Sequence, residues 1–207
     1  MCTISHIERP RVKETLKFAR KRGIFTAGEA AREGIHSQIL TRLVRQGAVE
    51  RIARGQYRYP EQAVTEHHSL AVIARAVPHG VICLISALSF HEIGTQLPPH
   101  VWLAIDRHAR RPKVRYHTLR IVKLSGKAFT EGIETHHIEG QPVKIYGVAK
   151  TLADLFKYRN KIGLDVALEA LREAWRERRF TMDEMDRYAR ICRVQRVMKP
   201  YLEALVA

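Results

Sequence analysis

The chain has 207 residues, with 36 Lys+Arg against 21 Asp+Glu, a net charge of +15 with histidine neutral, and 45% hydrophobic residues. That length suits one large domain or two small ones, and the apolar content is enough to bury a core, which excludes a disordered chain. The longest strongly apolar stretch, residues 81–90, is about half the ~20 residues of a membrane span, and Glu8, Arg9 and Pro10 stand where a signal peptide would be apolar, so neither a transmembrane helix nor secretion is expected.

Residues 1–60 carry 13 Lys+Arg against 5 Asp+Glu, net +8, and residues 61–207 carry 23 against 16, net +7. The surplus is denser in the first part, as expected of a segment that attracts a polyanion. A helix is predicted over residues 10–22: Pro10 suits a first helical turn, and Val12, Leu16 and Ala19 recur at i, i+4 and i+7 before Gly23 ends it. After an extended Ile24-Phe25, Thr26 and Glu29 have the spacing of a capping box, which predicts a second helix over residues 27–33 that stops at Gly34. Ser37 is expected to cap a third helix over residues 38–46, ended by Gly47, with Ile39, Leu40, Leu43 and Val44 on its buried face.

The opposite face of that third helix gathers Gln38, Thr41, Arg42 and Arg45 at i, i+3, i+4 and i+7. Arginine can donate two bonds to guanine O6 and N7, and glutamine can pair with adenine N6 and N7, so these side chains suit a major groove. The same spacing also fits an ordinary solvated helix face. The next segment, AVERIARGQYRY over residues 48–59, reads as two short strands around a turn in which Gly55 supplies a positive φ. Arg51, Arg54 and Arg58 fall on or beside this hairpin, while Val49, Ile52, Tyr57 and Tyr59 can cover the helices. Three helices and a basic hairpin in this order make a winged helix-turn-helix. Contacts with DNA are therefore expected from Ser37, Gln38, Thr41, Arg42 and Arg45 on the third helix, and from Arg51, Arg54, Gln56 and Arg58 on the wing.

Pro60 and the polar residues 61–66 read as a brief linker, followed by a second domain over residues 61–207. In it a helix is expected over residues 68–77, closed by Pro78 and Gly80, then a buried strand over residues 81–85 and a helical turn over residues 87–93. Residues 101–105 and 119–124 read as strands, and residues 133–138 with 143–146 as a hairpin through Glu139-Gly140. From Val148 the period is helical: Leu152, Leu155 and Phe156 in one helix, then Leu164, Leu168, Leu171 and Trp175 as the core stripe of another. Thr181 and Glu184 repeat the capping-box spacing before a third helix, and residues 194–205 suggest a last one interrupted at Pro200. Strands followed by segregated helices indicate an α+β domain, so the whole reads as α+β, a winged helix-turn-helix followed by a mixed sheet and a helical bundle.

No arrangement of an enzyme emerges. The chain has no Glu-x-Lys of a restriction-type nuclease, no Gly-Ser ahead of spaced aspartates, no G-x-S-x-G elbow and no phosphate loop, so neither a catalytic residue nor a cofactor is predicted. His67-His68 and His136-His137 are adjacent pairs whose members point different ways, a poor start for chelating one ion. His91-Glu92 and Asp106-x-His108 lack a third partner for acid/base work. Cys2, Cys83 and Cys192 are odd in number and far apart, which suits a reducing cytoplasm and no disulfide framework, and Cys83 reads as a small buried hydrophobe. The competing classes are a protein-interaction module that sequesters a partner, and a metal-dependent nuclease that would need Asp106.

The segments GIFTAGEAAREGI, LTRLVRQGAVERIARGQYRYP, LISALSFHEIGTQLPPHVWLAI and AKTLADLFKYR together resemble the AbiEi-like transcriptional regulators, the antitoxins of abortive-infection type IV toxin–antitoxin systems. The most specific pieces are the wing turn with Arg54, Gly55 and Tyr57, the run Ser86-Ala87-Leu88 leading to Phe90-His91, and Thr151-Leu152-Ala153-Asp154. The resemblance implies a winged helix that binds double-stranded DNA at repeats in its own promoter, and a second domain that counters a nucleotidyltransferase-like toxin without a stable complex. Such antitoxins also occur as stand-alone regulators. Because one winged helix reads few base pairs, two copies are expected on repeated half-sites, as a dimer or by cooperative loading.

Overall fold

The structure is a computed structural model that describes residues 8–60, 66–112, 114 and 119–206. Cys2 and most of the expected linker, residues 61–65, lie outside the described residues. The chain divides into two compact units, one comprising the residues up to Arg75 together with His137–Pro142, the other Ala76–His136 and the residues from Val143 onward.

The first unit begins with α1 (Glu8–Arg22), which Gly23 ends at φ +68°. β1 (Ile24–Thr26) follows, and Thr26 then starts α2 (Ala27–Arg32) with a complete capping box to Glu29. α3 is Ser37–Arg45. The expected role of Ser37 is corrected here: His36 is the N-cap, extended at φ −69° and ψ 143°, and Ser37 is already helical, its place fixed by the bonds from the Ile39 and Leu40 N–H groups to the His36 carbonyl. β2 (Glu50–Ala53) and β3 (Gln56–Arg58) form the hairpin. The extended Ile24-Phe25 is more than a connector, since β1 pairs antiparallel with β3 and completes a three-stranded sheet in the order β1-β3-β2. Under this sheet Phe25, Ala30, Leu40, Leu43, Val49 and Tyr57 pack into one apolar cluster, with the Phe25 and Tyr57 rings stacked at 5.7 Å. α4 (His68–Ala76) buries Leu70, Ala71, Val72 and Ile73.

The second unit holds β4 (Val81–Ile82), α5 (Leu84–Phe90), β5 (Val101–Asp106), β6 (Leu119–Leu124), α6 (Lys127–Thr130) and most of β7 (Ile133–Ile138) and β8 (Gln141–Tyr146), whose residues 137–142 are counted in the first unit, then α7 (Val148–Lys157), α8 (Arg159–Ile162), α9 (Leu164–Arg176), α10 (Met182–Cys192) and α11 (Gln195–Val206). Its mixed sheet runs β6-β5-β4-β8-β7, with β4 antiparallel to β5 but parallel to β8, and β5 parallel to β6. The expected strand over residues 81–85 is shorter: Leu84 takes φ +51°, which breaks the extended run and opens α5. The hairpin turn is Glu139-Gly140 as expected, both residues at positive φ, 51° and 73°, as a type I′ turn requires.

α7 is the centre of this unit, buried without interruption from Ala149 to Phe156. Such a helix is normally apolar all round, yet it carries Lys150 and Asp154 as an ion pair at i, i+4 with exposures of 0% and 1%. The Lys150 ammonium lies 4.1 Å from the centre of the Tyr146 ring, and Asp154 Oδ1 accepts from the Cys192 thiol at 3.2 Å. Burial pushes the Cys192 thiol up to about 12 and Cys83 well above its ordinary value, with the Asp154 charge adding to both.

Two expectations in the helical part are corrected. The buried face of α9 is Val166, Ala167, Ala170, Leu171 and Ala174, whereas Leu164, Leu168 and Trp175 are only partly covered, because small residues let α7 approach closely. Pro200 does not interrupt α11; it sits inside the helix on its exposed side, where water can take up the carbonyl bond that proline cannot make.

Candidate nucleic-acid interface

The helix-turn-helix is α2, the turn through Gly34 at φ +73°, and α3. At about 100° per residue, Ser37, Gln38, Thr41, Arg42 and Arg45 share one side of α3 and Ile39, Leu40, Leu43 and Val44 share the other. The first five are all exposed, while Leu40 and Leu43 are each 1% exposed. The Thr41 hydroxyl donates to the Ser37 carbonyl at 3.0 Å, which leaves its lone pairs facing outward.

On the wing, Arg51 and Arg54 are exposed, Arg54 beside Gly55 at φ +73° in the turn. A side chain at Gly55 would meet no neighbouring atom, so the backbone conformation alone requires glycine there. Arg58 differs. It stands directly opposite Glu50, is 13% exposed, and is ion-paired with that carboxylate, its Nε donating at 3.1 Å. Gln56 does not join the exposed set: it is 5% exposed, with its Oε1 lacking a hydrogen-bond partner among the described residues. On a three-residue strand the alternation is too short to say which way Gln56 turns. α1 adds exposed cations that the sequence reading passed over, Lys13, Lys17 and Lys21, whose four-residue spacing is the signal for a shared stripe.

Asp106 and His91 each make a hydrogen bond within the fold. Asp106 Oδ1 accepts the His108 backbone N–H at 2.8 Å, closing a turn. His91, 9% exposed, bonds through Nε2 to the Tyr146 carbonyl at 2.9 Å, and burial holds its pKa below the ordinary value although that bond acts the other way. A cavity of about 470 Å³ opens beside His91, Glu134, Lys150, Arg179 and Tyr188. Among the described residues no three His, Cys, Asp or Glu side chains converge as metal ligands. No helix among them is long and apolar enough to cross a membrane.

No curated protein matches the chain. Residues 13–60, which run from the first turns of α1 to the end of the wing, match the family model described as "Transcriptional regulator, AbiEi antitoxin". Over these residues the chain is similar to the AbiEi antitoxin family of transcriptional regulators.

Proposed function

We propose that this regulator is a sequence-specific repressor that acts as the antitoxin of a type IV toxin–antitoxin system and controls its own operon from the cytoplasm. Residues 1–60 carry the DNA contacts and residues 61–207 the action against a nucleotidyltransferase-like toxin, without a stable complex. The observation that carries the DNA-binding part is the outward polar stripe of α3 beside a wing whose turn exposes Arg54. Gln38, Thr41, Arg42 and Arg45 meet base edges, Ser37 meets the backbone at the start of the helix, and Arg51 and Arg54 hold phosphates or the minor groove. Arg58 joins them only by leaving Glu50, so its share is smaller than its charge suggests.

The test is a footprint on the DNA upstream of the gene, followed by titration of the protected fragment at increasing salt. Each neutralised phosphate contributes about 0.9 to the slope of log affinity against log salt, so a unit that places several cations on the backbone should give a steep negative slope. A flat salt response, or no protected site, would overturn the reading. Two protected half-sites about one helical turn apart are expected from loading of two copies.

A further inference from the structure

The β1–α2 junction is held from outside the helix-turn-helix. Its own capping box is complete: Glu29 Oε2 accepts the Thr26 N–H and hydroxyl, both at 2.8 Å. The same carboxylate is ion-paired with Arg75 of α4, a side chain only 11% exposed. Arg75 Nη1 in turn donates to Gln141 Oε1. Gln141 is 4% exposed, and its amide nitrogen donates to the Ile24 carbonyl at 2.7 Å, with the Arg22 carbonyl at 3.4 Å. A parallel tie joins His68 Nδ1 of α4 to Glu139 Oε2 at 2.8 Å, the carboxylate 2% exposed. All of these residues belong to the first unit.

What the ties hold is the point from which both reading elements depart. Ile24 and Phe25 are 0% exposed, Thr26 stands in register with Gln56, and the Ala27 N–H donates to the Gly55 carbonyl at 2.9 Å. The junction therefore fixes α2 on one side and the wing turn on the other. Because the capping box needs no help to start α2, the buried guanidinium and amide add something else, a tie from that junction to two segments remote in sequence. We propose that Arg75 and Gln141 are positioning residues for DNA recognition, setting the angle between the helix-turn-helix and the wing. The proposal rests on the DNA-binding reading above. A tilted α3 keeps its attraction to phosphates but loses two-bond contacts to bases, which tolerate little misplacement.

The experiment uses the full chain, with the duplex upstream of its gene and a shuffled duplex of the same composition, each titrated at one salt concentration. Gln141→Leu and Arg75→Gln are expected to weaken binding to the upstream duplex about ten-fold or more while binding to the shuffled duplex stays within about two-fold. Hydrogen exchange at the Ala27 amide should accelerate in both. The milder Gln141→Asn, which keeps an amide with both a donor and an acceptor, and Arg75→Lys, which keeps a cation for Glu29, should recover part of the discrimination; these two carry the test if the harsher variants melt early. Discrimination unchanged in folded variants would overturn the proposal, and so would equal losses on both duplexes, which mark a merely structural role. A wild-type chain that does not distinguish the two duplexes would instead overturn the DNA-binding reading.

Discussion

Asp154→Ala is expected to destabilise the protein by about 3–5 kcal/mol, a large part of the roughly 5–15 kcal/mol that holds a domain of ordinary stability together. The substitution leaves the Lys150 ammonium at 0% exposure with the Tyr146 ring over it but no anion, and removes the acceptor of the Cys192 thiol. A buried charge that has lost its counter-ion keeps its desolvation cost and gains nothing for it. The companion variant separates the pair's net contribution from the cost of breaking it. Lys150→Met with Asp154→Leu removes both charges at similar volume and should recover most of the loss, because the attraction within a buried pair roughly offsets the cost of dehydrating it. Urea midpoints of the three proteins decide the matter. A loss below about 1 kcal/mol for Asp154→Ala would mean that water reaches the pair on opening of α7.

Arg42→Ala should reduce affinity for the operator by about 1–3 kcal/mol and relax the preference at one base pair, whereas Arg54→Ala should weaken binding to all duplexes alike. The contrast follows from where the two side chains sit. Arg42 shares the outward stripe of α3 with Gln38 and Arg45, the geometry of an element lying in a groove, while Arg54 is at the tip of a two-residue turn with Gly55. Guanidinium bound to guanine carries sequence information; guanidinium bound to phosphate does not. Measuring each variant on the operator and on singly substituted operators distinguishes the roles. Equal losses for Arg42→Ala on specific and random DNA would remove it from base reading.

Features decided within a few residues were legible in the sequence. Both capping boxes, Thr26 with Glu29 and Thr181 with Glu184, form as their spacing predicts, because a side chain reaching a backbone three residues away needs no tertiary help. The Glu139-Gly140 turn is equally local. Features decided at a distance were not. Nothing near Ile24 signals that β1 will pair with β3, and nothing near Gln141 signals a bond to the Ile24 carbonyl, 117 residues away. The outward stripe of α3 could be read from its 3.6-residue period, but the wing strands have three and four residues, too few for a period of two to assign Gln56 inward or to show Arg58 engaged by Glu50. The AKTLADLFK segment shows its helix but not the depth of its burial, since lysine and aspartate are residue types rarely buried in full.

The two shielded thiols of the second unit have a practical consequence. Electrophiles such as iodoacetamide attack the thiolate, and Cys83 and Cys192 are sealed from solvent and kept protonated, so neither is modified until its surroundings open. Each carries its own clock: alkylation followed peptide by peptide would time the exposure of the helix α10 end separately from that of the β4–α5 corner, with no probe introduced into the chain.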